Sequence, residues 1–234
     1  MNSHEYLNLV NKRTNDIFKK TISDNDLFSS CYYHANCLID FSAFISDLKE
    51  RELIKIVATQ LESSAYLCAL GLYRQCFSTL RLLLEMGLAI VSFSLNKLTL
   101  LEWEKGLCDI SWSQIIDIDN GVLSTRVKKI FLDESFDLLR VNKLARETYR
   151  ELSEFVHGNQ STFSADKLFI NYDDELVRKF EGLEKKCIEV LFICYFVRYH
   201  NEIPVIDRDS FANIYTEYNH IGYIRNFFGG PKDI

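Results

Sequence analysis

From Leu72 to Leu95 the chain reads LYRQCFSTLRLLLEMGLAIVSFSL, its most apolar long stretch. The run is long enough for a helix of many turns, but Arg74, Arg81 and Glu85 interrupt it. A bilayer span needs about 20 consecutive, largely uncharged residues, so the stretch is expected to be a central core helix instead. A helix this apolar must be wrapped by other helices or sheets on most of its surface. Arg81 and Glu85 stand four apart and can pair along the helix. Charges in so apolar a helix need partners. Either they form a buried structural salt bridge, or Arg74 and Arg81 line a functional site.

The wrapping elements are expected to be helices. Only 2 Pro and 9 Gly occur in 234 residues, which suits long helices and not a turn-rich β fold. Apolar side chains recur at helical spacing in Leu38, Phe41, Ile45 and Leu48, again in Ile54, Val57, Leu61 and Ala65, and again in Leu176, Phe180, Leu183, Cys187, Val190, Leu191 and Cys194. Helices are predicted over 27–50, 51–70, 72–96 and 174–200. Lys49-Glu50-Arg51-Glu52 is read as a break or solvated turn, and Asp173 as the cap of the last helix. The expected organisation is one all-α domain, 1–234. It comprises an N-terminal arm (1–26), a core of antiparallel helices (27–200) with an irregular helical insertion at 97–132, and an aromatic tail (201–234) containing Phe211, Tyr215, Tyr218, Tyr223, Phe227 and Phe228.

Several function classes are disfavoured. Net charge is −6, so any nucleic-acid contact must be local and cannot be a general basic coat. The seven Cys are scattered with no CxxC pair, which points away from zinc ribbons and redox motifs and toward a reducing, cytoplasmic setting. The DIDNG sequence at 117–121 lacks the spacing and closing Glu of a calcium loop. No phosphate-binding or dinucleotide fingerprint is present, and neither a metal nor a cofactor is expected.

The stretch that carries chemistry is KLARETYRELSEFVHGN, Lys143 to Asn159. At about 100° per residue, Val141, Leu144, Ala145, Thr148, Leu152, Phe155 and Val156 form a broad arc expected to be buried, with Tyr149 at its edge. Lys143, Arg146, Arg150 and His157 form a separate arc of roughly 60°. Arg150 and His157 lie nearly in line, about 10 Å apart along the axis. Ser153 sits on the flank of that strip, and Gly158 can close the helix in a left-handed cap. Arg forks onto phosphate oxygens, and His can move a proton near neutral pH. The pair could therefore hold a phosphodiester while a neighbouring ribose 2′-hydroxyl attacks it, a route that needs no metal.

The segment RELSEFVHG, with Arg150 and His157 separated by six residues, resembles the Arg-x(4–6)-His motif of the HEPN superfamily, and an upstream helix carrying Arg81 and Glu85 adds to the likeness. The resemblance covers about ten residues in motif and residues 55–200 in architecture. It departs from the common pattern in having the longest permitted spacing and Glu151 directly after the Arg. It implies an all-α, HEPN-like bundle and a metal-independent endoribonuclease of a toxin–antitoxin or antiviral defence system. It further implies a homodimer in which two motif helices build one composite site, an RNA substrate, and restraint by an antitoxin or sensor protein. Arg150 and His157 would be the catalytic pair. Lys143, Arg146, Ser153 and Asn159 would contact substrate, and Arg74, Arg81 and Glu85 would line or support the site. A non-catalytic interaction or regulatory subunit of a defence complex is the competing expectation.

Overall fold

The apolar stretch is one helix with others packed round it. In the computed structural model the described residues are 2–24, 26–132, 136–160, 162, 170–204 and 216–231. In chain order the helices are α1 (Ser3–Asp24), α2 (Leu27–Ser42), α3 (Leu48–Ala69), α4 (Tyr73–Leu95), α5 (Lys97–Glu104), α6 (Trp112–Ile115), α7 (Thr125–Phe131), α8 (Leu138–His157) and α9 (Asp174–Tyr199). A 3-10 turn (His200–Glu202) and a short α10 (Gly222–Phe227) follow. The fold is all-α, with no strand among the described residues.

α4 packs against α3, α8 and α9, while α2 covers α3. Phe77, Leu80, Leu83, Leu84, Leu88 and Ile90 of α4 are fully buried there. By length and composition alone α4 could cross a membrane, but most of its apolar surface is enclosed by its neighbours. The link from α3 to α4 is only Leu70–Leu72, so the two helices run antiparallel. Gly71 makes that turn at φ +76°, with Ile17 and Ile170 closing over the position a Cβ would take.

α4 meets α9 at Gly87, where an added Cβ would lie 2.5 Å from Leu191 Cδ2. Beside it, the Tyr195 hydroxyl is buried without a hydrogen-bond partner among the described residues. An unsatisfied buried hydroxyl is destabilising by about 1–3 kcal/mol. Tyr195→Phe is therefore expected to be neutral or to stabilise the protein by about 1 kcal/mol in urea unfolding. A clear loss of stability would show that the hydroxyl is bonded.

The first break differs from the sequence expectation. Helix α2 stops at Ser42, and Asp47 caps α3 by accepting from the backbone N–H groups of Lys49 and Glu50 at 2.9 and 3.1 Å. Residues 49–52 are thus the first turn of α3, not a solvated turn. Glu50 is 2% exposed, bonded to Lys97 and, at 2.8 Å, to the Tyr199 hydroxyl. Asp173 caps α9 as expected, accepting from Leu176 N–H at 3.3 Å.

The insertion is anchored on α8 by a buried amide. Asn142 Nδ2 donates to the carbonyls of Ile116 and Leu123 at 3.1 and 3.3 Å. In the DIDNG segment Asp117 Oδ1 accepts from Asp119 and Asn120 N–H groups, and Gly121 lies against the carbonyls of Ile115 and Asp117, where no Cβ fits. The segment is a tight turn closed on its own backbone.

Of the tail aromatics, Phe211 and Tyr215 lie outside the described residues. The others fold inward. Tyr218 and Ile224 are buried. Phe227 meets Phe196 edge-on at 5.0 Å, and the Tyr223 hydroxyl lies 3.1 Å from His200 Nε2. This returns the chain end to the outer face of α9.

Candidate functional site on helix α8

Helix α8 begins at Asp137, whose carboxylate accepts from Arg140 N–H at 3.2 Å, and ends at Gly158, φ +66°. Val141, Ala145, Thr148, Leu152 and Phe155 face the core, whereas Val156, expected on the buried arc, sits past its edge and is 42% exposed. Lys143, Arg146, Arg150 and His157 are all exposed. Arg150 points almost directly away from the core-facing arc, with His157 close to in line two turns further on. Neither side chain has a hydrogen bond or ion pair among the described residues. Both are therefore open to an external group.

The other residues of the strip differ. The Arg146 guanidinium donates to Asn142 Oδ1 at 2.8 Å and to the Ile116 carbonyl at 2.6 Å, so it clamps the insertion to α8. Lys143 lies 3.9 Å from Glu147 in a highly exposed pair. Ser153 donates to the Tyr149 carbonyl at 2.7 Å and accepts from Arg81 Nε at 3.1 Å, so its hydroxyl turns inward. Asn159 is exposed just beyond the cap, its N–H bonded to the Glu154 carbonyl. Glu151 turns the other way, toward Lys179 and Lys186 of α9 at 3.0 and 3.8 Å. It therefore brings no carboxylate between Arg150 and His157.

The charges of α4 support this helix from beneath. Arg81 bonds the Tyr149 hydroxyl and lies 4.5 Å above the Tyr149 ring. Glu85 accepts from the same hydroxyl at 3.3 Å and stands 3.7 Å from Arg81. The outer face of Tyr149 is stacked on Trp112 at 3.7 Å. Burial, followed by the Glu85 charge, pushes the Tyr149 phenol above its usual range despite Arg81. The Arg81–Glu85 pair is thus the half-buried centre of a network joining α4, α6 and α8. Trp112 was recognisable in sequence as a bulky residue of the insertion, but nothing local pairs it with Tyr149.

Arg74 acts at the helix end. It bonds the Phe155 carbonyl and reaches the carbonyl and hydroxyl of Thr162 at 3.5 and 3.4 Å. One guanidinium thus ties the last turn of α8, which bears His157, to the chain beyond the cap. Arg74→Ala is expected to cost about 2 kcal/mol, the worth of a hydrogen bond to a charged group. It should also speed amide exchange at Asn159 and Thr162. Unchanged exchange there would show that Gly158 alone fixes the turn.

Compared with known proteins, the chain matches no family model, no curated protein and no solved structure. Any functional assignment therefore rests on the residues themselves.

Proposed function

We propose that this chain is a metal-independent endoribonuclease of the HEPN type, working as a homodimer in a bacterial defence or toxin–antitoxin system. The observation that carries the proposal is the free, outward-facing pair Arg150 and His157 at the capped end of α8. His157 would take the proton of a ribose 2′-hydroxyl as that oxygen attacks the adjacent phosphorus. A protonated His157, that of a second copy facing it, would return a proton to the departing 5′-oxygen. Arg150 would hold the charge that gathers on the phosphorane oxygens. Lys143 and, at the cost of its bond to Ile116, Arg146 would contact flanking phosphates. Two exposed motif helices meeting face to face would enclose the strand between them. An antitoxin or sensor protein would restrain the enzyme in a reducing cytoplasm.

The test uses the purified chain, end-labelled RNA and EDTA. Cleavage yielding 2′,3′-cyclic phosphate and 5′-hydroxyl ends is expected. RNA left intact by a dimeric preparation, with candidate partner proteins present and absent, would sink the proposal.

A second reading, a non-catalytic interaction subunit, draws on α1. Only Ile17 and Thr21 of its described residues are buried, while Tyr6 and Leu7 are 48 and 62% exposed. Under that reading, removal of residues 1–12 abolishes partner binding, and the Arg150 and His157 variants are silent.

A further inference from the structure

A cleft of about 770 Å³ opens between the end of α4, α5 and the insertion. Ligand sites for small molecules commonly span about 300–1,000 Å³. Its wall is mixed. Val127 and Phe131 supply an apolar side, and Asn96, Gln114, Asp117 and Arg126 supply hydrogen-bonding and charged groups.

The polar groups are largely uncommitted. Among the described residues the side chains of Asn96, Gln114 and Arg126 make no hydrogen bond or ion pair. Asp117 uses one carboxylate oxygen on the turn, and the other has no donor among the described residues. The backbone N–H groups of Asn120 and Asp119 hold its carboxyl below the usual carboxylate range, so it is ionised at neutral pH. Part of the wall is tied into the fold: Gly121 is packed against the carbonyls of Ile115 and Asp117, and Asn142 donates to the carbonyls of Ile116 and Leu123.

This set defines its ligand. A free guanidinium calls for an anion with fork geometry, and phosphate provides it. A free carboxylate oxygen calls for hydroxyl or amino donors. Two free side-chain amides suit the edges of a heterocycle, and the apolar wall suits its face. An amino acid or inorganic phosphate would leave most of the volume empty. We infer that the cleft is a binding site for a free nucleotide, with the phosphate on Arg126, sugar hydroxyls on Asp117, and the base against Phe131 between Asn96 and Gln114.

The site does not depend on the ribonuclease reading, and it lies well away from His157. Arg146, which binds the Ile116 carbonyl and stands eleven positions before His157, is already roughly 16 Å from it along the helix. Since Asn142 and Arg146 both hold Ile116, a bound nucleotide would also stiffen the attachment of the insertion to α8.

The experiment is calorimetric titration of the full chain with AMP, GMP, ATP and GTP, repeated with Arg126→Ala and Asn96→Ala. Both side chains are exposed and unbonded, so both variants should fold. Binding of at least one nucleotide is expected, weakened about tenfold or more by loss of the charge-assisted contact in Arg126→Ala. In hydrogen exchange the same nucleotide should slow the amides of 113–122. Three results would overturn the proposal: no heat with any nucleotide at millimolar concentration, binding indifferent to Arg126, or Arg126-dependent binding of an RNA oligonucleotide without binding of mononucleotides. The last result would make the cleft a strand contact.

Discussion

His157→Ala is expected to slow RNA cleavage by at least about 10²-fold, the usual contribution of a positioned general acid or base. Arg150→Ala should lose a similar or larger factor, about 10²–10³, because it removes the only charge proposed to meet the developing phosphorane. Both losses should appear in kcat. Lys143→Ala, which would remove only a contact to a flanking phosphate, should act mainly through KM. Stability makes the comparison clean. Arg150 and His157 are exposed and make no bond among the described residues, so each substitution should change unfolding free energy by no more than about 0.5 kcal/mol. Arg146→Ala is a poor probe because it also releases the Ile116 carbonyl. Single-turnover rates on one RNA, with melting curves for each variant, provide the measurement. If His157→Ala cleaves at the wild-type rate, this strip is not the site of the reaction.

What could be read from the chain alone was local. Gly158 and Asp173 mark helix ends because a left-handed cap and a side-chain cap involve only a few neighbouring residues, and both are found where expected. The outward face of Arg150 and His157 follows from a 3.6-residue period that tertiary packing did not disturb. Arg146 shared that face in sequence, but its guanidinium is claimed by the Ile116 carbonyl, 30 positions away. Glu50 stood in a run of four charged residues and looked solvated. Its burial depends on Lys97 and Tyr199, 47 and 149 positions distant. Ser153 looked available beside the motif until Arg81 of a different helix turned it inward. The nucleotide cleft was illegible for the same reason, since its walls come from segments that only the fold brings together.

Stability is expected to fall as pH rises from 7 toward 10, and His34 is the group responsible. His34 is 5% exposed, with Nδ1 2.7 Å from Glu184 and Nε2 3.3 Å from Glu217. Burial alone would lower its pKa, but hydrogen bonds to the two carboxylates outweigh it and hold the imidazole at about 9. A folded pKa above the unfolded value of about 6.5 means that the protonated ring stabilises the native state. That contribution is complete below about pH 6.5 and is lost as pH climbs through about 9. A shift of this size is worth on the order of 3 kcal/mol, or roughly 10 °C in melting temperature for a chain of this length. The nearby Cys31 thiol and Tyr218 phenol are driven upward, chiefly by burial, and stay neutral throughout the window. The loss should begin at the chain end. A neutral ring that donates from Nδ1 to Glu184 turns a lone pair toward Glu217, so the 216–231 segment should become protease-sensitive before the bundle unfolds. His34→Leu should cost about 3–5 kcal/mol at pH 7 by stranding Glu184, which is 1% exposed. Its remaining stability should lack the alkaline decline. Adding Glu184→Leu should restore much of the loss, because a buried ion pair replaced whole by apolar groups is often neutral. Melting curves of the three proteins between pH 6 and 10 decide it: a decline in His34→Leu as steep as in the wild type would assign the pH dependence to another group.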